Sequence, residues 1–292
     1  MNAAADFKWK CSDCSPAQAL FATLMMGLGA LGFIYGDFAT VWQRIPVDSL
    51  PGRQLLAYLC AAVELFAGIG LLVPSQMARA TRVLALFTLL WMLLLRLPAV
   101  LYAPQIEATW LGFGEIGVIF AGAWTLWCVH AAAWDRRHLK FLVDANAMRA
   151  AQVLFALCLP MIGLSHFFYA KDTADFVPSW VPFHLACAYL TGTGSIAASI
   201  ALLLGVFPRL AATLEAAMLG IITLVVWGDR IIGAPTERLQ LTGIVISAAI
   251  ACGAWLVAES YRDIAWFSVG RLGDARLARK LDLVAKRAGD AR

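Results

Sequence analysis

The sequence predicts an all-α integral membrane protein: about eight transmembrane helices, arranged as two parallel four-helix repeats. Three observations carry this. Hydrophobic residues fill 61% of the 292 positions and charged residues only 14%, with a mean hydropathy of +0.75. Soluble domains carry roughly 25% charge. The apolar residues gather into runs of about 20, the length one helix needs to cross a hydrocarbon core. The second half of the chain also repeats landmarks of the first. One constant offset in numbering takes Pro51 to Pro182, Tyr58 to Tyr189, Pro104 to Pro235, Gly112 to Gly243, Gly122 to Gly253 and Trp124 to Trp255.

The expected spans are 17–38, 54–73, 78–102, 109–133, 148–170, 185–206, 209–232 and 238–260. Most breaks between them hold Pro, Gly or charge, where a helix must end. The organisation that follows is an N-terminal segment 1–16, a first repeat 17–133, a linker 134–147, a second repeat 148–260 and a basic tail 261–292. The first apolar run is too long for a signal-peptide core and reads as retained. Lys and Arg set the orientation. Of the 23, 17 fall on the side of the N-terminus, the loops near 74–82, 134–149 and 207–209, and the tail. Both termini are therefore expected in the cytoplasm. Four crossings per repeat give both repeats the same orientation, related by an axis along the membrane normal. Tyr35 meets Tyr169 only at a slightly longer offset, so the first outer loop is expected to carry a small length change. The net charge of +4 is small, and no basic-aromatic stripe points to nucleic acid.

Ionisable groups inside spans are the sharpest chemical signal, because each costs roughly 2.5–3.5 kcal/mol at the bilayer centre and so faces a partner or a cavity. Glu64 lies near the middle of the second span. Arg96 and Glu115 sit at one depth on neighbouring helices, about six residues or roughly 9 Å from the same end, and suit an ion pair. His166 lies about 6 Å deep. Asp229 and Arg230 close the seventh span, while Glu215 lies in the opposite half. In "FVPSWVPFH", Pro178 and Pro182 flank Trp180 and stiffen the segment. It reads as an interfacial aromatic turn or as a lid over the polar layer, with His184 at its rim. Trp42 and Arg44 occupy a similar Pro-bounded loop in the first half.

"GLSHF", the Pro178–Pro182 element and "AYLTG" resemble the DoxX family of small four-helix membrane proteins. "GFIYGDF", Pro46, Pro51 and "AYLCAAVELFAGIGLLV" give the same outline in the first half. The resemblance covers nearly the whole chain as two tandem copies. The copies differ: His166 stands where the first has Phe33 or a near neighbour, and Glu64 where the second has Ser195. The resemblance implies a bacterial inner-membrane subunit that handles a quinone or related redox-active small molecule with a partner enzyme. Glu64 and His166 would then handle protons, with Arg96, Glu115, Trp180 and His184 shaping the binding site. On the structural reading, Arg96 and Glu115 neutralise each other, Glu64 is protonated and hydrogen-bonded, and His166 caps a loop. A non-catalytic scaffold or anchor for a redox enzyme and a small-solute transporter are the alternatives, and self-association into a homo-oligomer is a further expected partnership. Beyond the bilayer itself, the expected partner is a redox protein.

Cys11 and Cys14 form a C-x-x-C that suits a redox pair, half a metal site or no role; a metal site would need His130, His138 or Cys128, at irregular spacing. Leu277, Leu281 and Val284 recur at helical spacing in the basic tail, as in a surface-lying amphipathic helix. The chain has no Walker motif, G-x-S-x-G, H-E-x-x-H or dinucleotide fingerprint, so no catalytic signature names a reaction.

Overall fold

The computed structural model describes residues 14–39, 43 and 51–269. Cys11, Trp42, Arg44 and the amphipathic part of the tail lie outside the described residues. The described chain is helical, with one isolated bridge between Val206 and Val269. Among the described residues, eight helices are long and apolar enough to cross a membrane. They are α1 (Pro16–Tyr35), α2 (Arg53–Leu72), α3 (Met77–Tyr102), α4 (Glu107–His130), α7 (Ala145–Phe168), α9 (His184–Leu204), α10 (Pro208–Gly233) and α11 (Arg238–Ser260). Three short helices join them: α5 (Ala133–His138), α6 (Lys140–Val143) and α8 (Ala170–Phe176).

Local chemistry starts and bends these helices. Ser15 caps α1 by accepting from Gln18 N–H at 3.2 Å, with Pro16 in the first turn, where its missing N–H is no loss. Asp144 caps α7 by accepting from Asn146 and Ala147 at 3.0 and 2.9 Å. Near their ends α3 and α10 each contain a π-helical turn, Met92–Arg96 and Thr223–Trp227. Pro98 follows the first and cannot donate to the helical ladder. Asp229 stands at the matching place after the second, so the π turn forms there without a proline.

The offset that takes Pro51 to Pro182 also takes one set of helix starts to the other. Arg53 maps onto His184, Met77 onto Pro208 and Glu107 onto Arg238, and Met92 maps onto Thr223 at the start of the two π turns. The most buried spans are α4 and α11, and they cross at the centre. A Cβ built on Gly122 would lie 2.6 Å from Gly253 Cα, and one on Gly253 would lie 2.7 Å from Val118 O. Only hydrogen fits there, so the two backbones touch. Around this pair, α1 packs on α2 and α11, and α7 packs on α9 and α4. Ser15 Oγ donates to Glu259 at 2.8 Å, joining the start of α1 to the end of α11. At the opposite end, Arg238 Nη2 donates to Phe38 O at 2.6 Å.

The register of α1 against α7 differs from that of the other spans. A Cβ on Gly29 would meet Ala61 O and Leu65, and one on Gly163 would meet Gly192 O and Ile196. Ala61 and Gly192, like Leu65 and Ile196, keep the common offset, whereas Gly29 and Gly163 keep the longer one that joins Tyr35 to Tyr169. The residue at the place of His166 is therefore Gly32, one position from the expected Phe33.

Candidate functional site

A cavity of about 640 Å³ opens among α4, α7, α8, α9, α10 and α11. Its walls are mostly apolar, built from residues such as Leu111, Ile162, Leu219, Val226 and Ile250. Glu115, His166 and Trp180 line it together. Half-buried His166 is fixed through Nδ1, which lies 2.6 Å from Thr191 Oγ1 and 3.3 Å from Ala188 O. The Thr191 hydroxyl itself donates back to Cys187 O or Ala188 O, at 2.9 and 3.0 Å. With that proton given to backbone, and with the acceptor-only Ala188 O also in reach of Nδ1, we assign the hydrogen to Nδ1, donating to Thr191. In the neutral ring Nε2 is left as an acceptor, and it makes no bond within the described residues.

Helix α8 and the turn at 177–183 cover one end of the cavity. Three contacts hold this cover to the end of α10. The Arg230 guanidinium stacks 4.0 Å over the Phe176 ring, Phe176 meets Trp227 edge-on at 6.4 Å, and Trp180 Nε1 donates to Asp229 at 3.4 Å. Trp180 is exposed on its other side. The cover rejoins α9 at Phe183, which has φ 57° and is 81% exposed. Gly52, its counterpart in the first half, adopts the same left-handed conformation with φ 72°. Here the second half holds a bulky residue in a conformation that costs a side chain roughly 1–2 kcal/mol. His184 lines a neighbouring polar cleft with Asp175, Asp229 and Arg230, outside the main cavity.

Arg96 and Glu115 approach the same face of α4. A Cβ on Gly112 would lie 2.6 Å from Arg96 Nη1, and Glu115 follows Gly112 by one turn. At the same place in the second half, Gly243 faces the Trp227 ring.

Glu64 does not join His166. It is buried in the first half, in a small void with Gly32, Tyr35, Ala57 and Ala61. Gln43 lines the same void: its amide donates to Glu64 Oε1 and its side-chain carbonyl accepts from Ala39 N–H at 3.0 Å. About 10 Å³ is left, room for one water at most. Asp37 anchors the segment, bonded to Arg53 at 2.9 Å and lying 3.7 Å from Arg238. Partial burial raises the Asp37 pKa. The Phe38 N–H and the charges of Arg53 and Arg238 outweigh that and hold it below its ordinary 3.8. The second half has its own buried carboxyl on another helix. Glu215 of α10 accepts from Ser195 Oγ at 2.8 Å, and Ser195 lies at the position that the common offset gives for Glu64.

Sequence reasoning missed Thr191, Gln43 and Phe183. Gln43 sits in a loop with no periodicity to read, and Thr191 resembles any helix-packing threonine. Only the Gly52–Phe183 pairing at the repeat offset offered a signal. Among the described residues no group of three His, Cys, Asp or Glu side chains is placed to hold a metal ion.

No family model, no curated protein and no solved structure matches the chain. The site's own geometry therefore carries the functional reading.

Proposed function

We propose that the chain is a DoxX-like subunit of a bacterial inner membrane that binds a quinone or related redox-active small molecule in the His166 cavity and works with a partner redox enzyme. The cavity itself carries this reading. Its volume is in the range of small-molecule sites, roughly 300–1,000 Å³, and its apolar walls suit a headgroup with a hydrocarbon tail. His166 is held in one tautomer, with Nε2 available to a carbonyl or hydroxyl oxygen. Quinones shuttle electrons and protons between enzymes. In this chain His166 would hold or pass the proton at Nε2. Glu115 would add a polar wall, and Trp180 with the 177–183 turn would exclude water. Electrons would come from the partner.

We also read the chain as a tandem duplication whose halves have diverged. The common offset of three helix starts and both π turns supports this, as does the contact of the paired glycines Gly122 and Gly253. In this reading one ancestral cavity is kept around His166 and the other is plugged by Gln43 onto Glu64. The Lys and Arg distribution supports cytoplasmic termini.

The test is the quinone content of purified protein. We expect about one quinone per wild-type chain, retention by Glu64→Gln and loss from His166→Ala. Quinone in wild type no higher than in an unrelated membrane protein sinks the reading and favours a scaffold. Loss from Glu64→Gln alone would move the site to the first half.

A further inference from the structure

A second hollow, of about 560 Å³, lies between α10 and α11, separate from the His166 cavity. Its floor is cut by small residues, including Ala216, Gly220, Ala248 and Ala251. At the repeat offset the first half has Leu89 for Gly220 and Phe120 for Ala251, and Phe120 stacks on Trp124 at 5.4 Å. The first half therefore carries bulkier side chains at both of these places.

The hollow is apolar along its length and charged at one end. Its lining on α10 begins at Arg209 and ends at Leu224, a helical rise of roughly 22 Å. That is one leaflet of hydrocarbon, about 15 Å, plus a headgroup. A partner helix crossing the membrane would need about 30 Å. At the charged end, the Arg209 guanidinium stacks 4.0 Å over Trp266 and donates to Ile264 O at 3.2 Å. This fixes its orientation and leaves further N–H groups for a ligand. Arg262, with an exposed side chain, lines the same end. Glu259 is there too, with its Oε2 engaged by Ser15 Oγ at 2.8 Å. Two cations against one engaged carboxylate favour an anion.

We propose that this hollow is a binding site for an anionic phospholipid, with one acyl chain along Gly220 and Ala251 and the phosphate at Arg209 and Arg262. The test presents delipidated full-length protein with mixed micelles of phosphatidylglycerol and phosphatidylcholine. Native mass spectrometry counts the lipid retained. Wild type should retain phosphatidylglycerol preferentially. Arg262→Gln should lower that preference roughly fivefold, the effect of one surface arginine on an anionic lipid. Gly220→Leu/Ala251→Phe, which copies the first half, should lose retention of both lipids while keeping wild-type quinone content and unfolding behaviour. Equal retention of the two lipids by wild type overturns the proposal. So does full retention by the filled variant. A chain ending at Val269 that gains lipid relative to the full chain also overturns it, by identifying the tail as occupant.

Discussion

Replacing Gly253 by alanine presses a methyl group into the backbone of α4. The new Cβ would lie 2.7 Å from Val118 O and 3.2 Å from Ile119 Cα, where ordinary contact begins near 3.4 Å. The obstacle is backbone, so no rotamer change relieves it, and α4 and α11 must separate by roughly 0.7 Å. A gap of that size forfeits about a quarter to a half of the dispersion energy along the crossing, and overpacking of this kind costs about 1–3 kcal/mol. Alanine also favours a helix over glycine by about 1 kcal/mol, which would mask part of the loss. Gly220→Ala supplies the control: it too sits inside a transmembrane helix, and its Cβ would meet nothing within 4 Å. The propensity gain cancels between the two variants, so Gly253→Ala should be less stable than Gly220→Ala by about 1–3 kcal/mol. Denaturant unfolding in one detergent measures the difference. If the two variants agree within about 0.5 kcal/mol, well below that overpacking range, the central crossing is not backbone against backbone and the packing argument fails.

Gln43→Leu should destabilise the chain by about 1–3 kcal/mol, because it leaves the buried Glu64 carboxyl without its amide donor; an unchanged unfolding midpoint would refute the plug. Asp37 makes the same segment acid-sensitive. Its pKa is depressed in the folded chain, so its contribution is present above the ordinary 3.8 and fades as pH falls through the lower folded value. Unfolding followed below pH 4 should show a loss that Asp37→Asn abolishes; an identical acid profile for the two proteins counts against the anchor. Phe183→Gly should raise stability by about 1 kcal/mol, since it relieves a left-handed side chain that is 81% exposed; a drop of that size would mean the ring makes contacts that outweigh the strain.

The helices are legible in the sequence because apolar run length is a direct physical requirement of the bilayer. The expected 54–73, 78–102, 209–232 and 238–260 lie within two residues of Arg53–Leu72, Met77–Tyr102, Pro208–Gly233 and Arg238–Ser260. The fourth expected span runs too far at its end, to 133 against His130, because Ala131 to Ala133 continue the apolar run into the linker. The π turns leave no trace in composition, since Leu, Val and Trp fit α and π windings alike. In the site, sequence depth alone puts Arg96 and Glu115 on one level and His166 near them. It does not tell which half a residue's side chain enters, which depends on packing between distant helices. For that reason the sequence assigns Glu64 and His166 to one site, yet each belongs to its own half.

The closeness of Gly122 and Gly253 also bears on permeation. A carrier that alternates between two faces by rocking its halves opens a lumen along the axis between them. Here two peptide backbones meet with no side chain between them, and prising them apart would break a direct backbone-to-backbone contact. The cavity that leads past His166 is lined by α4 of the first half as well as by helices of the second, so a solute using it would skirt the crossing rather than pass through it.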